Sequence, residues 1–331
     1  MSLASLNDLL RSYPRGVDLD IALDAAKRWL AGGQPYLAGD FSTGSSNPPF
    51  LYPPYALVLF APLTAIARLP LQAIWFVLGV TLAFAAVRRL GISRWLIPLT
   101  LVWPPFAEAL AGGNVQIGIF TAFVFLFFGS PPSGPREGGT DQGQAGQPLW
   151  RGLLGRGLLG AVTAFLKVSQ PHVIVHLIRR EPRAAVVAVV AILALALMTL
   201  PVTGSAAWQA WIAQLQRAAD PAWAIGGSSV ARLLPRPFDT AFLAACLVAV
   251  LALPPARAAE WVGVLLVLGS PGLRTYYFLF LLPAMLRMRR EIALGAAFFL
   301  ATYTQQGWWL GIALVTGALA LSTIQGRSRP A

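Results

Sequence analysis

Cysteine, histidine and acidic residues are scarce in this chain, and each scarcity excludes something. Among 331 residues there is one cysteine, Cys246, set inside an apolar block. The chain therefore forms no internal disulfide and no cysteine-based metal site. The two histidines, His172 and His176, stand one helical turn apart, a spacing that can ligate metal. They lack the glutamate of an H-E-x-x-H pattern, so no metal site and no cofactor is expected. Charged residues make up 11% of the chain, against about 25% in soluble domains. So few charges cannot cover a core of this size in water, and a soluble all-α protein is set aside. Residues 1–16 are too polar for the apolar stretch of a cleavable signal peptide, and none is expected.

What the chain has instead is apolar residues, 56% of the total, and they come in blocks. Residues 184–207 hold no charged side chain, and roughly 20 such residues suffice to cross a bilayer core. Further blocks run over 52–67, 71–87, 115–128, 241–253, 261–268, 276–286, 292–301 and 308–321. Inside lipid each segment must satisfy its own backbone, so these blocks are expected to be helices. The fold class expected is all-α: one polytopic transmembrane helical bundle over 1–331, with re-entrant or broken helices.

The formal charge of +12 raises the question of nucleic acid. However, the arginines fall in short clusters between apolar blocks: Arg88 with Arg89, Arg179 and Arg180 with Arg183, Arg287 with Arg289 and Arg290, and Arg327 with Arg329. Clusters so placed mark cytoplasmic loops. No basic stripe interleaved with aromatics is present, as a single-strand binder needs, so no nucleic-acid partner is expected.

With the clusters as cytoplasmic markers, the Gly/Pro/Ser-rich stretch within 129–151 reads as a flexible cytoplasmic loop. Residues 158–167 and 172–178 read as a hairpin or re-entrant pair turning at Ser169, Gln170 and Pro171. Residues 204–239 are expected to form an extracytoplasmic loop, and 1–51 an extracytoplasmic segment with a short helix. An odd number of crossings must then separate the polar amino-terminal stretch from the 129–151 loop. The segment from Arg94, with Pro98, Pro104, Pro105 and Glu108, is the one expected to dip in and return. Irregular backbone is tolerated at depth where protein or a cavity covers it. This arrangement leaves Arg88, Arg89 and Arg94 outside, against the charge rule.

Of 13 acidic residues, four fall close together: Asp18, Asp20, Asp24 and Asp40. Asp18 heads a helical pattern running to Leu30, where a carboxylate suits the cap. Two readings stand: Asp18 caps a surface helix with the others solvated, or one of these carboxylates faces a membrane-embedded cavity as a general base. Lys167, one of two lysines, follows an apolar run. It either snorkels to the interface or offers a point cation to a phosphate at depth. Arg232 and Arg274 either clamp a phosphate through a planar fork or lie among lipid headgroups.

The order of several motifs carries more than any one of them. Asp18 is followed by Ala25-Ala26, Gly32-Gly33 and Pro35-Tyr36. Tyr52-Pro53-Pro54 then leads into a block reaching Pro62-Leu63. Pro104-Pro105 precedes Gly113-Asn114-Val115-Gln116, and Lys167 and Pro171 precede a basic cluster. Trp208, Trp211, Ser229 and Arg232 come next, and Ser270-Pro271 begins the last motif. From 18 to 286 this order resembles glycosyltransferase family 87 of the GT-C membrane superfamily. The resemblance implies a GT-C-like fold and a multi-pass cell-membrane enzyme with its site on the extracytoplasmic side. That enzyme moves a sugar, expected to be mannose, from a polyprenyl-phosphate donor to a lipid or glycan acceptor. Asp18 matches the catalytic base, with Asp20 as the fallback. Lys167, Arg232 and Arg274 are implied to hold the donor phosphate. Tyr52, Asn114, Gln116, Gln170, His172, Ser229 and Tyr276, all in or beside matched motifs, complete the implied substrate site.

Two departures stand out. The family has a transmembrane helix before the Asp, and nothing apolar precedes Asp18 here. Many members also carry a His shortly after the Ser-Pro pair, where this chain has Arg274, Tyr276 and Tyr277. The rival readings are a transporter or flippase for a lipid or small solute, and an inactive assembly partner.

Overall fold

The computed structural model describes residues 16–37, 49–128, 149–167, 170–218, 229–302 and 304–327. Within them the protein is all helix and connection, and three helices are long and apolar enough to cross a membrane. These are α3 (Arg68–Arg89), α9 (Pro182–Ala218) and α14 (Gln305–Arg327). Their most apolar windows are only 22%, 17% and 33% buried within the protein. Leu69, Phe76 and Val77 of α3, Leu197 and Met198 of α9, and Leu321 of α14 all face outward. Contiguous apolar surface on this scale is unstable in water and at home against lipid. The chain is a helical membrane protein.

The shorter helices fill the space between. In chain order they are α1 (Val17–Leu30), α2 (Tyr55–Phe60), α4 (Ile97–Leu101), α5 (Pro104–Ala111), α6 (Gln116–Phe128), α7 (Leu149–Phe165), α8 (His172–Arg180), α10 (Phe238–Ala249), α11 (Ala258–Leu268), α12 (Leu282–Met285) and α13 (Arg290–Leu300). At about 1.5 Å per residue, α4 and α5 are far shorter than the roughly 30 Å hydrocarbon core. Neither is therefore long enough to cross as one helix. α6 is the centre of the bundle, with Ile117, Ile119, Phe120, Phe123 and Val124 all buried. Its phenylalanines meet Phe106 of α5 and Phe280 edge-on at ring separations of 5.2 to 5.8 Å. α11 reaches the same core by backbone contact, since a Cβ on Gly263 would lie 2.1 Å from the Phe280 carbonyl oxygen.

A second core gathers around α1. Leu19, Ala22, Leu23 and Ala26 recur at helical spacing and are buried against Phe50, Leu57, Phe60, Leu71 and Ala207. Asp24 and Lys27 occupy the exposed face, the amphipathic pattern of a helix lying on a larger body.

The structure amends the expected boundaries in three places. The helix after the Arg179 cluster does not end in a loop at residue 204. Gly204 breaks the helical geometry (φ 73°, ψ 157°), and helix resumes to Ala218. The resumed arm lies along the amino-terminal segment: Trp211 Nε1 donates to the Leu51 carbonyl at 3.0 Å and Gln214 Nε2 to that of Leu37 at 2.8 Å. α7 begins at Leu149, so residues 149–151 are helical, while 129–148 lie outside the described residues. Finally, Asp18 is not the cap of α1; Gly16 is, in left-handed geometry (φ 76°, ψ 17°) with no side-chain cap.

Candidate active site

The site begins where two helix ends meet. α5 stops at Gly112, and Gly113 takes a left-handed conformation (φ 67°). The amides of Gly113 and Asn114 fold back onto the carbonyls of Leu110 and Ala109, at 3.2 and 2.9 Å, a Schellman ending. The last carbonyls of α5 are left without helical partners, and so are the first amides of α1. Each end satisfies the other: Gly16 N donates to Ala111 O at 2.7 Å and Asp18 N to Gly112 O at 2.8 Å. Trp75 Nε1 adds a bond to Gly113 O at 2.9 Å. The junction fixes Asp18 in the first turn of α1, where the helix dipole favours a carboxylate, and puts Asn114 beside it.

Asn114 Nδ2 donates to Asp18 Oδ2 at 2.8 Å. Its Oδ1 accepts from the Gln116 amide at 2.8 Å and from Lys167 Nζ at 3.4 Å. The backbone donor fixes which way the amide points, so the Nδ2 end must face the carboxylate. One buried side chain thus bridges the Asp18 carboxylate and the Lys167 ammonium. Lys167 also lies over the rings of Tyr276 and Tyr277, at 4.5 and 5.1 Å from their centroids, a favourable cation–π arrangement. Gln116 and Gln170, both fully buried, face each other at 3.4 Å and tie α6 to the turn carrying Lys167.

Charges converge on the same place. Burial pushes the Asp18 carboxyl above the ordinary carboxylate range, opposed by the Asn114 hydrogen bond and by the charges of Lys167 and then Arg274. Lys167, in the connection after α7, is brought down to about 7, chiefly by burial, with Asp18 opposing and Arg274 assisting. Tyr52 lies close enough to feel the Asp18 charge, and burial holds its phenol well above the usual range. Arg274 is presented by the Ser270–Leu273 turn, in which Ser270 Oγ donates to Gly272 O at 2.7 Å.

Other expected residues lie elsewhere. The Asp20 carboxylate is turned away from this cluster, ion-paired with Arg68 and accepting from Gln72. His172 is buried against Gly269, whose Cβ would meet its Nε2 at 2.7 Å. Ser229 accepts from the Ala231 amide at 3.1 Å and so caps a single 3-10 turn. The Arg232 side chain, Ser169 and Asp40 lie outside the described residues.

Glu108, in α5, belongs with the site although its position alone did not mark it. It is buried beside Thr275 and lies within electrostatic reach of Arg274 and Asp18. A carboxylate in an apolar, proline-rich stretch was the available signal. Among the described residues no three His, Cys, Asp or Glu side chains gather as a metal site would need.

Comparison with known proteins supplies the rest. A polyprenol-phosphate-mannose-dependent alpha-(1-2)-phosphatidylinositol mannoside mannosyltransferase of Mycobacterium tuberculosis is 28% identical over 201 residues. The similarity takes in 53% of this chain, which spans only 42% of that relative's length. No solved structure matches. The model of glycosyltransferase family 87 matches residues 50–268, a span that contains Asn114 and Lys167 and begins downstream of Asp18. Since that match covers well over half of the sequence, the chain belongs to glycosyltransferase family 87.

Proposed function

We propose that this protein transfers a sugar, mannose by kinship with its relative, from a polyprenyl-phosphate donor to a hydroxyl of a lipid or glycan acceptor at the extracytoplasmic membrane face. The observation that carries the reading is the convergence of a buried carboxylate, Asp18, with Lys167, joined to it through Asn114, and with Arg274 within electrostatic reach. A transporter needs no such pairing of base and phosphate-binding cations.

In the proposed step Asp18 takes the proton of the acceptor hydroxyl, whose oxygen attacks the anomeric carbon of the donor in a single displacement. The bond from that carbon to the phosphate oxygen breaks, and polyprenyl phosphate leaves with the electron pair. Its growing negative charge falls on Lys167 and Arg274, which are already held in place when the reaction begins, and fixed charge of this kind lowers the barrier. Tyr52 lies beside Asp18, and the ring of Tyr276 sits under the Lys167 ammonium. Asp20, occupied by Arg68, is not the base in this scheme.

The test is sugar transfer from polyprenyl-phosphate mannose by membranes carrying the full chain. Asp18→Asn is expected to lose about 10²- to 10⁴-fold, as for removal of a general base, while still binding donor. Full activity in Asp18→Asn removes Asp18 from the mechanism.

A further inference from the structure

The end of α6 away from Asp18 borders a hollow that carries polar groups. A cavity of about 310 Å³ lies between the carboxyl end of α6, the last turn of α8, the first turn of α11 and the segment after α12. Phe127 and Phe128 form part of its wall, and His176, Arg180, Glu260 and Arg287 bring polar groups to it. α6 fixes the separation from the first site, because Gln116 stands beside Asn114 and Phe127 lies eleven residues on. That is about 17 Å along a helix, so the polar groups of this cavity stand apart from the Asp18 cluster.

The charges around this cavity do not cancel. Glu260, 1% exposed, is paired with Arg287 Nε at 2.7 Å. Nearby, Glu181 is paired with Arg156. Arg180 is held by donating through Nη2 to the Leu253 carbonyl at 2.6 Å, and it has no carboxylate partner among the described residues. A positioned guanidinium with an unfilled fork, beside apolar rings, matches a phosphate carried on an apolar stem. The surrounding arginines, Arg179 and Arg183 on one side and Arg289 and Arg290 on the other, belong to the clusters that the charge rule assigns to the cytoplasmic headgroup level.

We propose that this cavity binds the phosphate of an anionic phospholipid headgroup on the membrane face opposite Asp18, with Arg180 as the principal contact. The hydrocarbon portion of the lipid would run along Phe127 and Phe128. The proposal is independent of the sugar-transfer reading, since none of its residues touches the Asp18 cluster.

The experiment follows thermal unfolding of the purified full chain in neutral detergent, with phosphatidylglycerol, phosphatidylcholine or inorganic phosphate added. Ligand binding to the folded state raises the midpoint, and phosphatidylglycerol is expected to raise it by about 3–5 °C where phosphatidylcholine does not. Arg180→Gln is expected to lose most of that shift and Arg180→Lys to keep part of it. Ala256→Trp, which fills the cavity and leaves every charge in place, is expected to lose it as well. It also decides the matter if Arg180→Gln fails to fold. An equal shift with inorganic phosphate supports the anion site and assigns it to free phosphate instead of lipid. Equal shifts with both phospholipids, or a full shift retained in Ala256→Trp, overturn the proposal.

Discussion

Asn114 is small, uncharged and fully enclosed, and its amide joins the two groups on which the proposed chemistry depends. The backbone amide of Gln116 fixes the orientation, so the same side chain offers hydrogen to Asp18 and oxygen to Lys167. Replacing it with alanine leaves a carboxylate and an ammonium each short of a buried partner, at about 1.5–3 kcal/mol for a hydrogen bond to a charged group. Asn114→Ala is therefore expected to lower transfer roughly 10- to 150-fold, and to lower the unfolding midpoint by a few degrees as well. Unchanged transfer would show that the bridge has no part in the reaction. Sequence order alone nominated Asn114 and Asp18 separately, through different motifs. Nothing in the residues joined them, because they stand 96 positions apart and their meeting depends on two helix ends exchanging backbone bonds. Asp20 illustrates the converse. It was the fallback to Asp18, and nothing near it in sequence announces its partner Arg68, 48 residues away.

At the scale of elements, the helices were legible from apolar blocks, since lipid leaves the backbone few alternatives. Their ends were not. Gly204 reads as a breaker, and the residues after it carry enough polar character to pass for a loop. Ala207, Trp211 and Gln214 nevertheless keep helical spacing, and they bind the arm to the amino-terminal segment. Two glycines set the close approaches. Gly113 occupies a left-handed position, and a Cβ there would also meet that of Leu19 at 3.2 Å. Gly263→Ala drives a methyl group into the Phe280 carbonyl and must separate α11 from the core. It is expected to lower the unfolding midpoint of the detergent-solubilised protein by many degrees, by overpacking that costs about 1–3 kcal/mol or more. A midpoint within a degree of the unaltered protein would contradict the packing described for α11.

For the whole molecule, the proposed orientation puts the Asp18 cluster outside and the Arg287 end inside. In a Cys246→Ser background, Gln34→Cys is exposed in the turn that follows α1, the helix carrying Asp18, and Arg289→Cys is exposed two residues after Arg287. A membrane-impermeant maleimide added to intact cells is expected to label Gln34→Cys and to reach Arg289→Cys only after permeabilisation. The reverse pattern would invert the assignment. The central claim is that Asp18 and Lys167 form one charge-coupled site, and the pH profile of kcat/KM, which reports groups of the free enzyme, tests it most directly. Transfer needs Asp18 deprotonated, so activity falls as pH drops through a pKa raised above the usual carboxylate value. It needs Lys167 protonated, so activity falls again as pH rises through about 7. Lys167→Arg is expected to carry the alkaline limb out of the measurable range and leave the acid limb in place. Lys167→Ala, which removes a charge that favours the Asp18 carboxylate, is expected to move the acid limb upward. Identical limbs in all three proteins would contradict the account.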